Sequence, residues 1–285
     1  QASRGCPHGC SFCSQDAAFK KVRMRRVDKL VDEIEFMVDR YGFKWFGFND
    51  AYFPWTKRQG FEFADELIRR GLHERTRWVT ENRVDQVDEE LLRKLKASGL
   101  STIFFGFESG NAEVLARTGK GTTLAQAEAA ARAAKAAGVT IVGFFMIGLP
   151  GDTVETCLQT VDFAMRLDCD FAKFAVAIPY PGSQLFETLR GQLRPEDFDK
   201  FLSWYNWASG GEDILSMSDD ITPGDLLRIQ RLGMLRFYAR PRQVIRHLRR
   251  GTLPLDKMVY GAGLLLEGAT REVGTLLKRK LGWRP

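Results

Sequence analysis

Apolar residues recur at helical spacing in several segments of the chain, and short runs of apolar and aromatic residues separate these segments. The first segment, residues 27–41, ends just before Gly42, and its periodicity predicts a helix with one apolar face. That face consists of Leu30, Val31, Ile34, Met37 and Val38. The same pattern predicts further helices over residues 59–70, 88–97, 123–137 and 153–167. The intervening runs predict strands over residues 44–48, 77–80, 102–107, 139–147 and 171–178.

Strands and helices that alternate at this spacing are typical of right-handed βαβ units, so we predict an α/β fold with a parallel sheet. The residues before Gly5 resemble the end of one more strand, which would give six βα units in place of the eight of a closed TIM barrel. The expected architecture is a partial (β/α)6 TIM-like barrel with a C-terminal helical extension. In parallel sheets of this kind the ligand site lies at the carboxyl ends of the strands.

The alternation of strands and helices stops at Pro195, and helical patterns follow over residues 225–238 and 256–281. Pro241 predicts a break between two of these helices. We therefore expect a core over residues 1–190, with a truncated first strand, and a helical region over residues 191–285. The chain starts at Gln1 without an initiator methionine or a signal peptide, so we expect it to be a segment of a longer protein.

Composition places the 285-residue chain among globular proteins, because 44% hydrophobic residues exclude a disordered or collagen-like chain. The net charge of +6 is uneven, since residues 228–285 carry 14 basic and 3 acidic side chains. Such a tail is typical of a solvated helix face, and it also permits peripheral contact with an anionic membrane surface. Residues 258–266, its longest uncharged stretch, fall short of the ~20 apolar residues that cross a membrane. We predict a cytoplasmic protein, either free or at the inner membrane surface.

Three of the five cysteines stand together as Cys6, Cys10 and Cys13, which indicates a metal site in a reducing compartment more than a disulfide framework. Their spacing is C-x3-C-x2-C, on a loop that contains glycine and proline. Three soft thiolates suit an iron-sulfur cluster or a soft metal, whereas structural zinc usually takes four protein ligands. Three ligands also leave one iron of a cluster open. Cys157 and Cys169 fall in or beside a helix and are predicted to be small buried residues.

The segment CPHGCSFC resembles the signature of the radical S-adenosylmethionine (SAM) superfamily, and Phe12, directly before the third cysteine, is part of that signature. The resemblance implies that Cys6, Cys10 and Cys13 hold a 4Fe-4S cluster. It also implies that the amino and carboxylate groups of SAM chelate the open iron, and that one-electron reduction splits SAM into methionine and a 5′-deoxyadenosyl radical. The similarity covers roughly residues 1–190.

Three further segments at strand ends resemble the same family, in the same order along the chain. They are residues 104–115, 142–155 and 178–187. The first implies that Glu108 and Ser109 approach the ribose or methionine part of SAM. The second implies that the backbone near Phe145 and Ile147 lies against the adenine. A plain structural alternative exists for Glu108, which could simply pair with a neighbouring arginine.

The turn after the first complete strand departs from the Gly-Gly-Glu-like pattern of many family members and has the sequence FNDAYF over residues 48–53. This version resembles members that have an N-terminal cobalamin-binding domain. The resemblance implies Asp50 as a contact for the SAM ammonium group, although Asp50 could instead cap a helix. Arg83 suits the SAM carboxylate, because a guanidinium forks onto two oxygens.

The resemblance implies an enzyme that cleaves SAM reductively for C–H activation, most closely in the branch that couples this chemistry to cobalamin-associated methyl transfer. Cobalamin would be held by an upstream domain absent from this chain. Oxidative cyclases of the same branch, a tRNA methylthiotransferase and a non-catalytic iron-sulfur electron carrier are the alternatives. The expected partners are a small-molecule or lipid-like substrate and an electron donor such as flavodoxin or ferredoxin, and nucleic acid is not favoured.

Overall fold

Strands and helices alternate through the core, as the hydrophobic pattern predicts. A computed structural model describes residues 1–15, 19, 21–194, 197, 216–218 and 220–251. Five parallel strands form one sheet, and their spatial order follows their order in the chain. They are β3 (Trp45–Gly47), β4 (Arg77–Asn82), β5 (Leu100–Glu108), β6 (Thr140–Ile147) and β7 (Phe171–Val176). The sheet curls into a half-barrel, which confirms the predicted partial TIM-like barrel.

The residues before Gly5 do not extend this sheet. They form β1 (Ser3–Arg4), which pairs antiparallel with β2 (Arg23–Met24), so the parallel sheet has five strands within the described residues. Gly5 adopts a φ of 97°, and a Cβ at this position would collide with the backbone of Lys21. The chain therefore turns at Gly5 into the cysteine loop, a bend that a residue with a side chain would resist.

Helices of the core pack around the sheet and beside the cysteine loop. They are α1 (Val27–Tyr41), α2 (Lys57–Arg69), α3 (Leu72–Arg75), α4 (Glu89–Ala97), α5 (Ala112–Arg117), α6 (Leu124–Ala136), α7 (Val154–Leu167) and α8 (Gln184–Leu189). Several begin after a side chain that accepts a hydrogen bond from the first turn, as the sequence would suggest. These caps are Thr56, Asp88, Asn111, Thr123, Thr153 and Ser183.

Alternate residues of each central strand point to opposite sides of the sheet. On the side toward the helices, Phe105, Phe145 and Phe174 are almost completely buried and belong to the main hydrophobic core. On the inner side of the half-barrel, Phe144 is half-buried and Lys173 is exposed. This inner side, at the carboxyl ends of the strands, is where the fold positions the site.

Two described helices follow the core, α9 (Pro223–Tyr238) and α10 (Pro241–Arg250), and they confirm the break at Pro241. Helix α9 packs on α7 and β7, and the Tyr238 hydroxyl accepts from the backbone N–H of Ala172 (3.1 Å) and donates to its carbonyl oxygen (2.9 Å). The helix predicted over residues 256–281 lies outside the described residues. Within the described part of the chain, every helix is too short or too polar to cross a bilayer.

Candidate active site

The cysteine loop is held in place by main-chain hydrogen bonds on both sides of Ser11. The Ser11 N–H donates to the carbonyl oxygen of Thr118 (2.8 Å), and the Ser11 carbonyl accepts from the N–H of Leu185 (2.8 Å). Within the loop the Cys13 N–H donates to the Cys10 carbonyl (3.0 Å). These bonds join the loop to the segment after α5 and to the start of α8, so two separate parts of the core meet at the loop.

Cys6, Cys10 and Cys13 are half-buried on this loop, and none of them forms a disulfide with another described residue. Burial raises the pKa of the Cys10 thiol, while the charges of Lys120 and Arg83 act to lower it. Among the described residues, no three Cys, His, Asp or Glu side chains converge around a point that would hold a single metal ion. In a cluster each thiolate binds a different iron, so the sulfurs need not converge on one point. Three soft donors on one loop thus fit an iron-sulfur cluster.

Glu108 is the last residue of β5 and lies beside the cysteine loop. It is buried, and its φ of 62° is unusual for a residue with a side chain. The Lys120 ammonium donates to Glu108 Oε1 (2.6 Å) and to the Gly106 carbonyl oxygen (2.6 Å). The register of β5 against β6 shifts between Gly106 and Glu108, and a Cβ on Gly106 would collide with both charged groups. The strand end is therefore shaped around a buried ion pair.

Arg83 follows β4 and reaches the same place. Its Nε and Nη2 donate to the two carboxylate oxygens of Asp85 (3.0 and 2.9 Å), and Nη2 also donates to the Lys120 carbonyl (2.7 Å). Although burial acts to lower it, the pKa of Arg83 is raised by its bond to Asp85. The structure thus brings Arg83 next to Lys120, and the charges of both Arg83 and Lys120 act on Cys10. Contact of Arg83 with a SAM carboxylate stays a prediction.

Asp50 lies after β3 and is used to hold the start of the chain. Its carboxylate accepts from the backbone N–H of Ala2 (3.0 Å), from the backbone N–H of Ser3 and from the Ser3 hydroxyl (2.5 Å). The helix cap that the sequence also suggested for Asp50 is provided by Thr56. Asp50 therefore fixes β1 just ahead of the cysteines, and its contact with a SAM ammonium group stays a prediction.

The other predicted SAM contacts, Ser109, Phe145 and Ile147, have fully buried side chains. Ser109 is fully buried, lies 3.3 Å from the Thr160 hydroxyl and accepts from the N–H of Asn111 (3.1 Å). The Phe145 and Ile147 side chains are also fully buried, in the core between sheet and helices. Because these two side chains point into the core, only the backbone of Phe145 and Ile147 could contact adenine, which is the role that the resemblance implies.

A cavity of about 380 Å³ lies at the carboxyl ends of β5, β6 and β7, against the cysteine loop. It is lined by Phe12, Cys13, Ser14, Gln15, Glu108, Phe144, Phe145, Met146, Lys173, Ala175, Val176, Ile178 and Tyr180. The structure therefore gathers Phe12, Cys13, Glu108 and Phe145, all predicted from sequence, around one space. Ser109 and Ile147 are not among the residues that line it.

The sequence interpretation missed Lys120, although the pattern Gly119-Lys120-Gly121 was a usable signal. Both glycines have positive φ, and a Cβ on Gly119 would lie 3.2 Å from the Gly9 carbonyl, so this turn approaches the cysteine loop closely.

Tyr52 was also missed. Its hydroxyl lies 3.1 Å from Nε2 of His8, a second link to the loop, and burial together with Cys6 raises the pKa of Tyr52 to about 12.

The fold and the site define a class of enzyme in which a partial barrel carries a three-cysteine cluster loop at the carboxyl ends of its strands. The sequence model of the Radical SAM superfamily matches residues 1–164, more than half of the chain. The chain belongs to the Radical SAM superfamily.

Curated relatives include an uncharacterized methyltransferase of Pyrococcus horikoshii, 31% identical over 86% of this chain and 52% of its own length. An anaerobic magnesium-protoporphyrin IX monomethyl ester cyclase of Cereibacter sphaeroides is 34% identical over 70% of this chain and 33% of its own length. The chain thus spans about half of the first relative and a third of the second.

Among solved structures, a radical SAM methyltransferase of Kitasatospora setae, determined with cobalamin and a 4Fe-4S cluster bound, superposes with a TM-score of 0.62. It is 23% identical to this chain, and the match covers 67% of this chain and 36% of that protein. At this identity the likeness shows that the two proteins share a fold.

Proposed function

We propose that this chain is the SAM-cleaving core of an enzyme that transfers a methyl group to a small-molecule substrate, together with cobalamin bound elsewhere in the full protein. One observation carries the proposal: the cysteine loop and the buried carboxylate of Glu108 face a single cavity at the carboxyl ends of the strands. The names of the methyltransferase relatives support methyl transfer as the reaction.

In this proposal Cys6, Cys10 and Cys13 hold a 4Fe-4S cluster, which when bound supplies the electron for reductive cleavage of SAM. A small donor protein such as flavodoxin or ferredoxin would provide that electron. The thiols would bind as thiolates; burial raises the pKa of Cys10, and the Lys120 and Arg83 charges offset part of this effect. Both cations are buried behind the loop, so their effect on it is weakly screened by water.

Glu108 would accept hydrogen bonds from the ribose or methionine part of SAM, because Lys120 binds only one of its two carboxylate oxygens. Arg83 would bind the SAM carboxylate through Nη1, since its bonds to Asp85 and Lys120 use Nε and Nη2. Asp50 could reach the ammonium group only by releasing Ala2 and Ser3. The proposal therefore relies on Glu108 and Arg83 for binding more than on Asp50.

Anaerobic reconstitution with iron and sulfide, followed by dithionite and SAM, tests the cleavage step through formation of 5′-deoxyadenosine. We expect cleavage by the native chain and its loss, with loss of cluster absorbance, in Cys10→Ala. Cys157→Ala is the matched control, because Cys157 is a buried core residue. A Cys10→Ala protein that still cleaves SAM would refute the cluster assignment.

Oxidative cyclisation is the second candidate, favoured by the 34% identical cyclase relative. The full-length protein with cobalamin and methyl-labelled SAM separates the two reactions once a substrate is in hand. Label in the product, accompanied by S-adenosylhomocysteine, supports methyl transfer. A product that is oxidised and carries no label supports the cyclase.

A further inference from the structure

Lys173 places a charge on the inner face of the half-barrel. In β7 the alternate residues Ala172, Phe174 and Val176 are buried against the helices, and Lys173 points to the opposite side. There it is exposed and lines the cavity. A lysine on this face adds nothing to the packing of the sheet, and its ammonium group is therefore available to bind a ligand.

The charges of the cavity do not balance. Among the described residues, two charged side chains line it, those of Glu108 and Lys173. The Glu108 carboxylate is matched by the Lys120 ammonium at 2.6 Å. Lys173 forms no ion pair or hydrogen bond with any side chain of the described residues. Among the side chains that the structure describes, the cavity therefore carries one unmatched positive charge.

The walls around Lys173 are apolar. The strand register sets Lys173 beside Phe144, whose ring stacks on Phe104 with centroids 5.8 Å apart. Met146, Ala175 and Ile178 continue the apolar lining toward the strand ends. Lys173 lies three residues before the end of β7, which corresponds to a depth of roughly 10 Å at the rise of a β-strand. Phe12 and Cys13 of the cysteine loop line the opposite, outer part of the same cavity.

We propose that this cavity binds a substrate with an apolar body and one anionic group, and that Lys173 binds the anion. A single lysine is a compact point charge, and one unmatched charge suits a monoanion such as a carboxylate. The apolar body lies on Phe144 and Met146, and the carbon that reacts lies toward the cysteine loop, away from the anion. The ligand's role as substrate rests on the proposed function, whereas its binding does not.

A matched pair of probes tests the site: 1-pyrenebutyrate, a flat apolar acid, and 1-pyrenebutanol, which has the same body without the charge. Both are titrated by calorimetry into the cluster-reconstituted chain without SAM. We expect the acid to bind at least about tenfold more tightly, which corresponds to about 1.4 kcal/mol. Lys173→Met should remove this preference, and Lys173→Arg should keep it. Lys29→Met, which alters a surface lysine paired with Asp32, should leave it unchanged.

Equal affinity of the native chain for the two probes, or an undiminished preference for the acid in Lys173→Met, would overturn the assignment. Lys173 is exposed, so its replacement should not unfold the protein, and thermal melting of each variant checks this. SAM cleavage measured on the same preparations keeps the two proposals apart. Cleavage without a preference for the acid removes the Lys173 site alone, and a preference without cleavage removes the proposed reaction alone.

Discussion

Lys120 is the single residue on which most of the site depends. Its ammonium binds the Glu108 carboxylate and the Gly106 carbonyl, and its own carbonyl accepts from Arg83. Glu108 is held in a left-handed backbone conformation that costs energy for any residue with a side chain. Such strain persists only where surrounding contacts impose it, and here the contact is the buried ion pair.

Replacing Lys120 by Met should be strongly destabilising, because it leaves the Glu108 carboxylate buried without its partner. Breaking a buried ion pair costs about 3–5 kcal/mol. The free energy of unfolding in urea, measured with the cysteines kept reduced, gives this loss. The double variant Lys120→Met with Glu108→Gln should recover part of the loss. Lys57→Met, at an exposed pair with Asp88 and Glu90, is the control and should change stability little. Similar losses at Lys120 and Lys57 would contradict this account.

Gly106→Ala should disturb the Glu108–Lys120 ion pair, because the new side chain would enter the space of both charged groups. The added Cβ meets Glu108 Oε1 and the Lys120 ammonium, so we expect a loss of about 1–3 kcal/mol in stability together with weaker SAM binding. Equilibrium dialysis with SAM measures the binding. Gly191→Ala is the matched control, because a Cβ there has open space around it. Unchanged SAM binding in Gly106→Ala would show that the position of Glu108 is not important for it.

Individual site residues can be predicted from the sequence when they belong to a short motif. Glu108 and the cysteines have such motifs, and the structure brings Glu108 and Cys13 to one cavity. Phe144 and Lys173 could not be found in this way, because the direction of a side chain depends on which face of the strand lines the barrel. Lys120 lies 12 residues after Glu108, and their contact exists only once the chain after α5 has folded back.

Among the elements, α1 and α2 are joined through one arginine that follows α2. Arg70 Nη1 donates to Asp32 (2.9 Å) and Glu35 (2.8 Å) of α1, and its Nε donates to Glu66 of α2 (2.7 Å). The hydrogen bond from Arg69 lowers the pKa of Glu66 to about 2. Burial acts to raise this pKa, and the bond from Arg70 lowers it further. Arg70 therefore links the two helices, and its partner Glu66 within α2 titrates at low pH.

This contact predicts a pH dependence with a definite sign. The pKa of Glu66 is lowered from 4.5 to about 2 in the folded chain, so its stabilising effect is present above pH 4.5 and is lost as the pH falls through 2. Arg70→Met should lose stability at neutral pH, and the difference from the native chain should shrink between pH 4.5 and 2. Urea unfolding across this range measures it.

Arg166→Met is the control for this series, because the Arg166 guanidinium lies over the Phe163 ring and forms no ion pair with a carboxylate of the described residues. Its difference from the native chain should stay constant with pH. An Arg70→Met difference that does not vary with pH would contradict the Glu66 assignment.

Helices and strands were predictable because each has its own periodicity and its own cap. Thr123 and Thr153, for example, form capping boxes at the starts of α6 and α7, close to the predicted helix starts. The pairing of β1 could not be predicted, since an antiparallel two-residue strand has no periodicity. It depends on Asp50, which lies 47 residues beyond Ser3.

In the whole molecule, α9 packs on the core through apolar side chains, whereas α10 is docked through charge. Asp168 ends α7 with a φ of 50°, and its two carboxylate oxygens accept from Nη2 of Arg246 in α10, each at 2.8 Å. Arg250 adds a bond to Asp170 (2.6 Å). Part of the basic character of the tail that the sequence left unassigned is therefore used inside the protein, where it binds acidic residues at the start of β7.

Asp168→Asn should weaken this docking without changing the backbone, because asparagine also tolerates the left-handed conformation. The Arg246 guanidinium is largely buried and would lose the nearer of its two carboxylate partners, so we expect a loss of about 1–3 kcal/mol. Trypsin should then cleave near Arg246 and Arg250 faster than in the native chain. Asp39→Asn, at an exposed pair with Arg75, is the control. Equal cleavage rates in both variants would rule out the docking role.

The two main-chain bonds at Ser11 also set an order of events during synthesis. Within this chain, the cysteine loop emerges from the ribosome before residues 118 and 185, the two positions that hold it. Domains form from the N-terminal side as the chain grows, yet this loop cannot reach its final position until the last part of the core has been made. Iron and sulfur delivered earlier would meet three thiols on an unplaced segment, so we expect cluster insertion to follow completion of the half-barrel.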